Sequence, residues 1–399
     1  MKPPRRAAMA LAVAAGVLAL WWFSQSAGET PPASAAALIE AAPPAAGPML
    51  VATSAAATPR SAPDRSAQRA LWTQRLERAQ RTLEGYRQAT RYPHDSRPLA
   101  EHPDQVHPNR PIVEERPLRL PGGPAIDGLT LRTTQERVFV QGDESVLFTV
   151  AAVDGEGRVL PLQVPRAFAH EGATGPAGSR VAPVTVLFSD DGRSGDAVAN
   201  DGTLSLRLQP ARLGFAELDG VIRVELALQS GDHSGYAYFD VIHSAGTPAT
   251  WGPGAVHEAV EAGSLNLYLP AQVNQPGRYV VTGRVDDANG RPFALVNFND
   301  ELGAGAQQIR LQVFGRLLRD KQPAFPLTLR DVDAFLLKPD TFPDRSLMPR
   351  RDGLVYQTRS YPLVAFSDAE WAGAERQRYL DEYTKDVHEA EDQLKQLGP

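Results

Sequence analysis

The residues with the clearest chemical potential lie close together. Asp190, Asp191, Asp196 and Asp201 share 13 residues with Asn200 and with glycines at 192, 195 and 202. Carboxylate and amide oxygens on tight, glycine-permitted turns are what a hard cation such as Ca²⁺ requires. The spacing is not that of an EF-hand. The same residue types also cap turns by bonding their own backbone, so a self-bonded structural loop is the competing reading. A catalytic carboxylate pair would need an acid–base partner, and the sequence names none.

A second group is His94, Asp95, His102, Asp104 and His107. Imidazole and carboxylate suit Zn²⁺ or a similar ion. The segment is interrupted by prolines and lacks a helical i,i+4 pair to preset the geometry, so solvated side chains on an extended connector fit equally. His170, His233, His243 and His257 are scattered, and Phe168 to Gly178 reads as a flexible loop. There is no G-x-S-x-G elbow, phosphate-cradling glycine loop or H-E-x-x-H. Trp251, Tyr236 and Tyr238 are candidates for stacking on sugars, although strand alternation turns many aromatics inward. The chain has no cysteine, which excludes disulfides, cysteine-ligated metals, thiol catalysis and a lipid-modified cysteine anchor. A net charge of −6 argues against nucleic acid as a partner.

These residues sit in a chain of 399, enough for two to three domains. Lys2, Arg5 and Arg6 precede an uncharged apolar run, residues 7–23, that ends in Trp21, Trp22 and Phe23. Residues 1–23 read as a retained signal anchor or a cleaved signal peptide, with a buried helix as the third option. The rest of the chain is then exported. It is either anchored in an inner membrane and facing the periplasm, or periplasmic or secreted if the signal is removed. Residues 24–65, rich in Ala and Pro, cannot bury a core and read as a disordered spacer. Residues 66–125 read as a helix plus a Pro-rich extended connector. Residues 126–243 and 244–366 alternate with period two between Gly and Pro turns, and read as two consecutive immunoglobulin-like β-sandwiches. Residues 367–399 read as an amphipathic helix begun by a Ser367–Glu370 capping box. The fold class expected is mainly β, with two sandwiches flanked by an N-terminal and a C-terminal helix.

The two helices have matched stripes. Trp72, Leu76, Ala79, Leu83 and Tyr86 form one, and Leu380, Tyr383, Val387, Ala390, Leu394 and Leu397 form the other. The first helix is basic and the second acidic. They are expected to pack together, within one chain or between two, or each to lie on a sheet.

The string Asp190–Gly202 resembles a loop of exported bacterial immunoglobulin-like domains of the choice-of-anchor X type. Tyr92–Pro98, Glu101–Gln105, Phe314–Asp320 and Phe325–Val332 resemble a proteobacterial multi-domain family of unknown function. The resemblance covers roughly residues 90 to 370. It implies an exported β-protein and transfers no catalytic residue. The function expected is a non-enzymatic binding or assembly role in the cell envelope, with an envelope protein as partner. A metal-dependent or carboxylate-based hydrolase and a carbohydrate-binding module are the alternatives.

Overall fold

The computed structural model describes residues 64–172 and 181–398. The expected export segment at 7–23 and the spacer up to residue 63 lie outside the described residues. Among the described residues, no helix is long and apolar enough to cross a membrane. The protein is mainly β, with four sheets arranged around two hydrophobic cores.

The first core lies between sheets I and II. Sheet I sets Ile112–Pro117, Thr130–Gln135 and Val146–Val153 side by side, and Val159–Leu160 and Leu204–Leu208 share the far edge of the last of these. Sheet II runs in the order Phe139–Gln141, His233–Ser244, Gly220–Ser230, Gln163–Glu171, Val184–Thr185. Alternation decides which side chains enter the core: Ile222, Val224, Leu226 and Leu228 are buried, while Arg223, Glu225 and Ala227 face out. Phe148 and Phe239 stack across the core with ring centroids 4.5 Å apart. Gln163–Glu171 is a strand, which corrects the flexible loop expected from Phe168; its periodicity was obscured by the prolines at 161 and 165.

The second core lies between sheets III and IV. Sheet III runs Ser96–Pro98, Pro292–Leu302, Gly277–Asp286, Thr328–Leu337, Arg345–Leu347, and Arg351–Gln357 also pairs with Thr328–Leu337. In sheet IV, Ser264–Val273 has Gly305–Val313 on one edge and Ala249–Trp251 and His257–Glu261 on the other. Tyr279 is fully buried, with its hydroxyl 3.0 Å from the Pro248 carbonyl and 2.6 Å from that of Gln275. Burial pushes this phenol up to about 12.

Residues 91–124 do more than connect. Ser96–Pro98 pairs antiparallel with Pro292–Leu302, in register Ser96 to Val296. Ile112–Pro117 then joins sheet I. The first sheet pair is therefore inserted into the second rather than simply preceding it. Between these two strands the chain is held by two arginines, one buried and one half-buried. Arg284, 2% exposed, donates to the Gln105 carbonyl and side chain (3.2 and 2.9 Å), the Asp331 carbonyl (2.6 Å) and the Asp333 carboxylate (2.8 Å). Arg330 donates to the Asp286 and Asp331 carboxylates and to the Val106 carbonyl.

The two β-units meet where Arg345, 7% exposed, lies between the rings of Phe139 and Phe335, at 5.0 and 4.8 Å. The Ser244 and Ser346 hydroxyls are 3.3 Å apart across the same contact.

Helix α1 (Arg65–Ala89) pairs with helix α3 (Ala374–Leu397); the short helix α2 (Gly315–Lys321) lies between strands of the second unit. Tyr86 meets Tyr379 and Tyr383 near the start of α3, and Trp72 shares a groove with Asp386 and Glu389 further along, so the pair is antiparallel and within one chain. Leu83, Val387 and Ala390 form its buried seam. Among the described residues no ion pair joins α1 to α3, so the apolar stripe and the tyrosine cluster hold them together. The capping box is corrected. The α3 cap position is Gly373, with no side-chain bond, while Ser367 accepts from the Ala369 amide and Glu370 pairs with Arg376. Arg376 is 5% exposed and also donates to Thr90 at the end of α1 and to the Trp371 carbonyl, locking the base of the helix pair.

Replacing Arg284 by Ala leaves Gln105, Asp333 and the Asp331 carbonyl without their shared donor. The expected loss is about 3 kcal/mol of unfolding free energy, read from urea denaturation. An unchanged midpoint would contradict the role given to this side chain.

Candidate functional site

The Asp-rich loop leaves sheet II after Thr185 and enters sheet I at Leu204. Its neck is closed by two backbone bonds between Ser189 and Ser205, at 3.0 and 2.8 Å. Asp190 folds the far arm back, accepting from the Asp201 and Gly202 amides at 3.1 and 2.8 Å. Asp196, 8% exposed, accepts from the Gly192 amide at 2.6 Å. Asp191 accepts from the Arg193 amide, and Asp201 from the Thr203 amide. At Gly195 the backbone is left-handed, and an added Cβ would lie 2.7 Å from Leu147 and 2.8 Å from the Arg207 guanidinium. The left-handed backbone disfavours a side chain there, and the ends of Leu147 and Arg207 would have to move to admit one.

Of the five residues expected to bind calcium, the fold brings three together. Asp190, Asp196 and Asp201 each place a carboxylate oxygen within 4.8 Å of the others. Asp191 and Asn200 stand outside that group; Asn200 serves through its left-handed backbone, φ 61°. Three anionic groups this close repel, and both the amide donors and a cation would relieve that repulsion. Among the described residues this is the one grouping of three such ligands.

His94, Asp95, His102, Asp104 and His107 do not converge on a point. The segment instead serves Arg284 through Gln105 and Arg330 through Val106. Asp95 is half-buried and its Oδ1 has no hydrogen-bond partner; burial pushes its carboxyl above the usual range. Burial pushes the His102 imidazole down.

The aromatic candidates separate. Trp251 donates its Nε1 to the Pro349 carbonyl at 2.6 Å, with Arg351 over its ring at 4.9 Å. Tyr236 and Tyr238 face outward from sheet II, tilted 44° from each other, and Arg223 stacks on Tyr238 at 4.2 Å. They belong to a larger face that sequence reasoning did not assemble. Register aligns Phe168, Glu225 and Tyr238 in one row, His170, Arg223 and Asp240 in the next, and Arg166, Ala227 and Tyr236 in a third. Arg223 makes a bidentate pair with Asp240, both bonds 2.7 Å, and Arg166 covers the Phe168 ring at 5.4 Å. Burial and a bond to Glu225 push the Tyr236 hydroxyl up to about 12. The alternation of Gly220–Ser230 was the signal available. Its partner strand at 163–171 was not.

No family model matches the chain, and no curated protein matches it. Among solved structures it is similar to a DUF4785 family protein from Legionella pneumophila, at 11% identity and a TM-score of 0.38, covering 57% of this chain and 57% of that chain. It is also similar to trypsin-activated alpha-2-macroglobulin from Escherichia coli, at 12% identity and a TM-score of 0.21, covering 57% of this chain and 15% of that one. The chain spans less than two thirds of either.

Replacing Asp190 by Ala strips two loop amides of their acceptor, with an expected cost of about 1–3 kcal/mol in chemical denaturation. Asp95 has a second expected signature. Its folded carboxyl lies above the unfolded value of 3.8, so the folded state is penalised as pH rises through the folded value and carries no penalty below 3.8. Asp95→Asn therefore raises the melting temperature at pH 7, and the gain vanishes at strongly acidic pH. Equal melting temperatures at pH 7 would contradict this.

Proposed function

We propose that this chain is an exported, non-enzymatic binding and assembly protein of the cell envelope, held at a membrane through residues 7–23 or released when they are removed. Its first β-unit is read as immunoglobulin-like, with an Asp/Gly loop of the choice-of-anchor X type. The observation that carries the reading is the outer face of sheet II. Arg166, Phe168, Arg223, Tyr236 and Tyr238 stand side by side on paired strands, Arg166 exposed and the other four half-buried, with Asp240 holding Arg223 and Glu225 bonded to Tyr236. Tyrosine and arginine on a rigid sheet are the side chains that dominate protein–protein recognition energies. The partner is a folded envelope protein. The tilt between the two tyrosines and the guanidinium over one of them suit a protein surface better than the flat face of a sugar ring.

The Asp190–Gly202 loop is given a structural role, bracing the end of the same unit. Calcium titration followed by melting temperature decides how. A rise in the wild-type chain that is lost in Asp196→Asn assigns a bound cation, whereas no rise leaves the loop as a turn closed by its own amides.

Crosslinking of the tagged full chain in intact cells, with mass spectrometry of co-purified proteins, tests the main reading. One reproducible envelope partner is expected, with recovery reduced about ten-fold or more in the Arg223→Ala/Tyr238→Ala double variant, a loss of about 1.4 kcal/mol or more. Circular dichroism of that variant should match the wild type. Equal recovery from both chains, or no partner from either, would sink the proposal.

A further inference from the structure

The paired helices carry separated charge. Helix α1 has six arginines against two glutamates, and α3 has seven acidic residues against four basic ones. On one side of the pair a groove of about 260 Å³ runs between them, with Trp72, Arg75 and Arg78 on the α1 wall and Tyr383, Asp386 and Glu389 on the α3 wall. Ala79 and Ala390 also line this groove and leave room in it. The opposed walls are not paired with each other, since no ion pair links α1 to α3 among the described residues. Arg75 rests instead on the Trp72 ring at 4.5 Å.

We infer that this groove is a self-complementary docking surface and that its occupant is a second copy of the chain, forming a four-helix bundle. A two-helix arm covers one stripe of each helix, and the four-helix bundle is the closed form of such packing. A closed pair of identical chains has a two-fold axis. With the axis running along the arm, α1 of one copy lies over α3 of the other, so the Arg75–Arg78 wall meets the Asp386–Glu389 wall twice. With the axis crossing the arm, like meets like. Charge complementarity therefore selects both the partner and the arrangement. Trp72, half-buried beside the groove, is the aromatic anchor.

The test uses the full chain with two different tags, co-expressed and purified in mild detergent. The wild type is expected to co-purify tag to tag and to sediment as a dimer. Arg75→Glu/Arg78→Glu alone, and Asp386→Lys/Glu389→Lys alone, should each lose about ten-fold or more of tag-to-tag recovery. Co-expressing one reversed chain with the other should restore it, because each reversed wall then faces an opposite charge. That rescue separates lost docking from misfolding. A monomeric wild type, whether free, bound to anionic vesicles or bound to a different protein, overturns the inference. So do reversed chains that pair with themselves as well as the wild type does. Neither result bears on the partner assigned to sheet II, which is read by capture through Arg223 and Tyr238.

Discussion

Arg284 is 2% exposed and takes its acceptors from two separate stretches of chain: the segment at Gln105, and the strand that carries the Asp331 carbonyl and the Asp333 carboxylate. A cation removed from water costs several kcal/mol unless its donors are matched. The segment ahead of the first unit therefore completes the hydrogen bonding of a cation buried in the second. Arg330 repeats the requirement through Val106 and Asp286. The edge strand at Ser96–Pro98 and the Arg376 bond to Thr90 join early and late chain in the same way.

Periodicity made the long strands readable. Gly220–Ser230, His233–Ser244 and Gly277–Asp286 each have one buried face, and their alternation appears directly in the sequence. The helices were legible for the same reason, and their seam residues Leu83, Val387 and Ala390 are the buried ones. Short strands were not legible. Ser96–Pro98, Ala249–Trp251 and Arg345–Leu347 are three residues each, too few to show a period, and a partner far along the chain supplies their pairing. The proline that suggested a free connector at position 98 is tolerated because its strand lies at a sheet edge.

The candidate sites divide along a similar line. The Asp-rich loop is local, so composition pointed to it, although composition could not say that Asp190, Asp196 and Asp201 converge while Asp191 turns to its own backbone. The histidine segment has another use: the Gln105 and Val106 carbonyls within it accept from Arg284 and Arg330. The sheet II face is non-local. Phe168, Arg223 and Tyr238 come from three strands and become neighbours only through register.

The insertion also imposes an order of events on a chain that emerges from its N-terminus. Ser96–Pro98 appears early, yet the strand it pairs with, Pro292–Leu302, appears only after the whole first unit. Helix α1 likewise waits for α3, which follows both β-units in the chain. The inserted unit holds its own core and can close while both wait. During that interval the apolar stripe of α1 and an unpaired strand end remain open to whatever attends nascent chains. A chain truncated before α3 would present the same unfinished surface permanently.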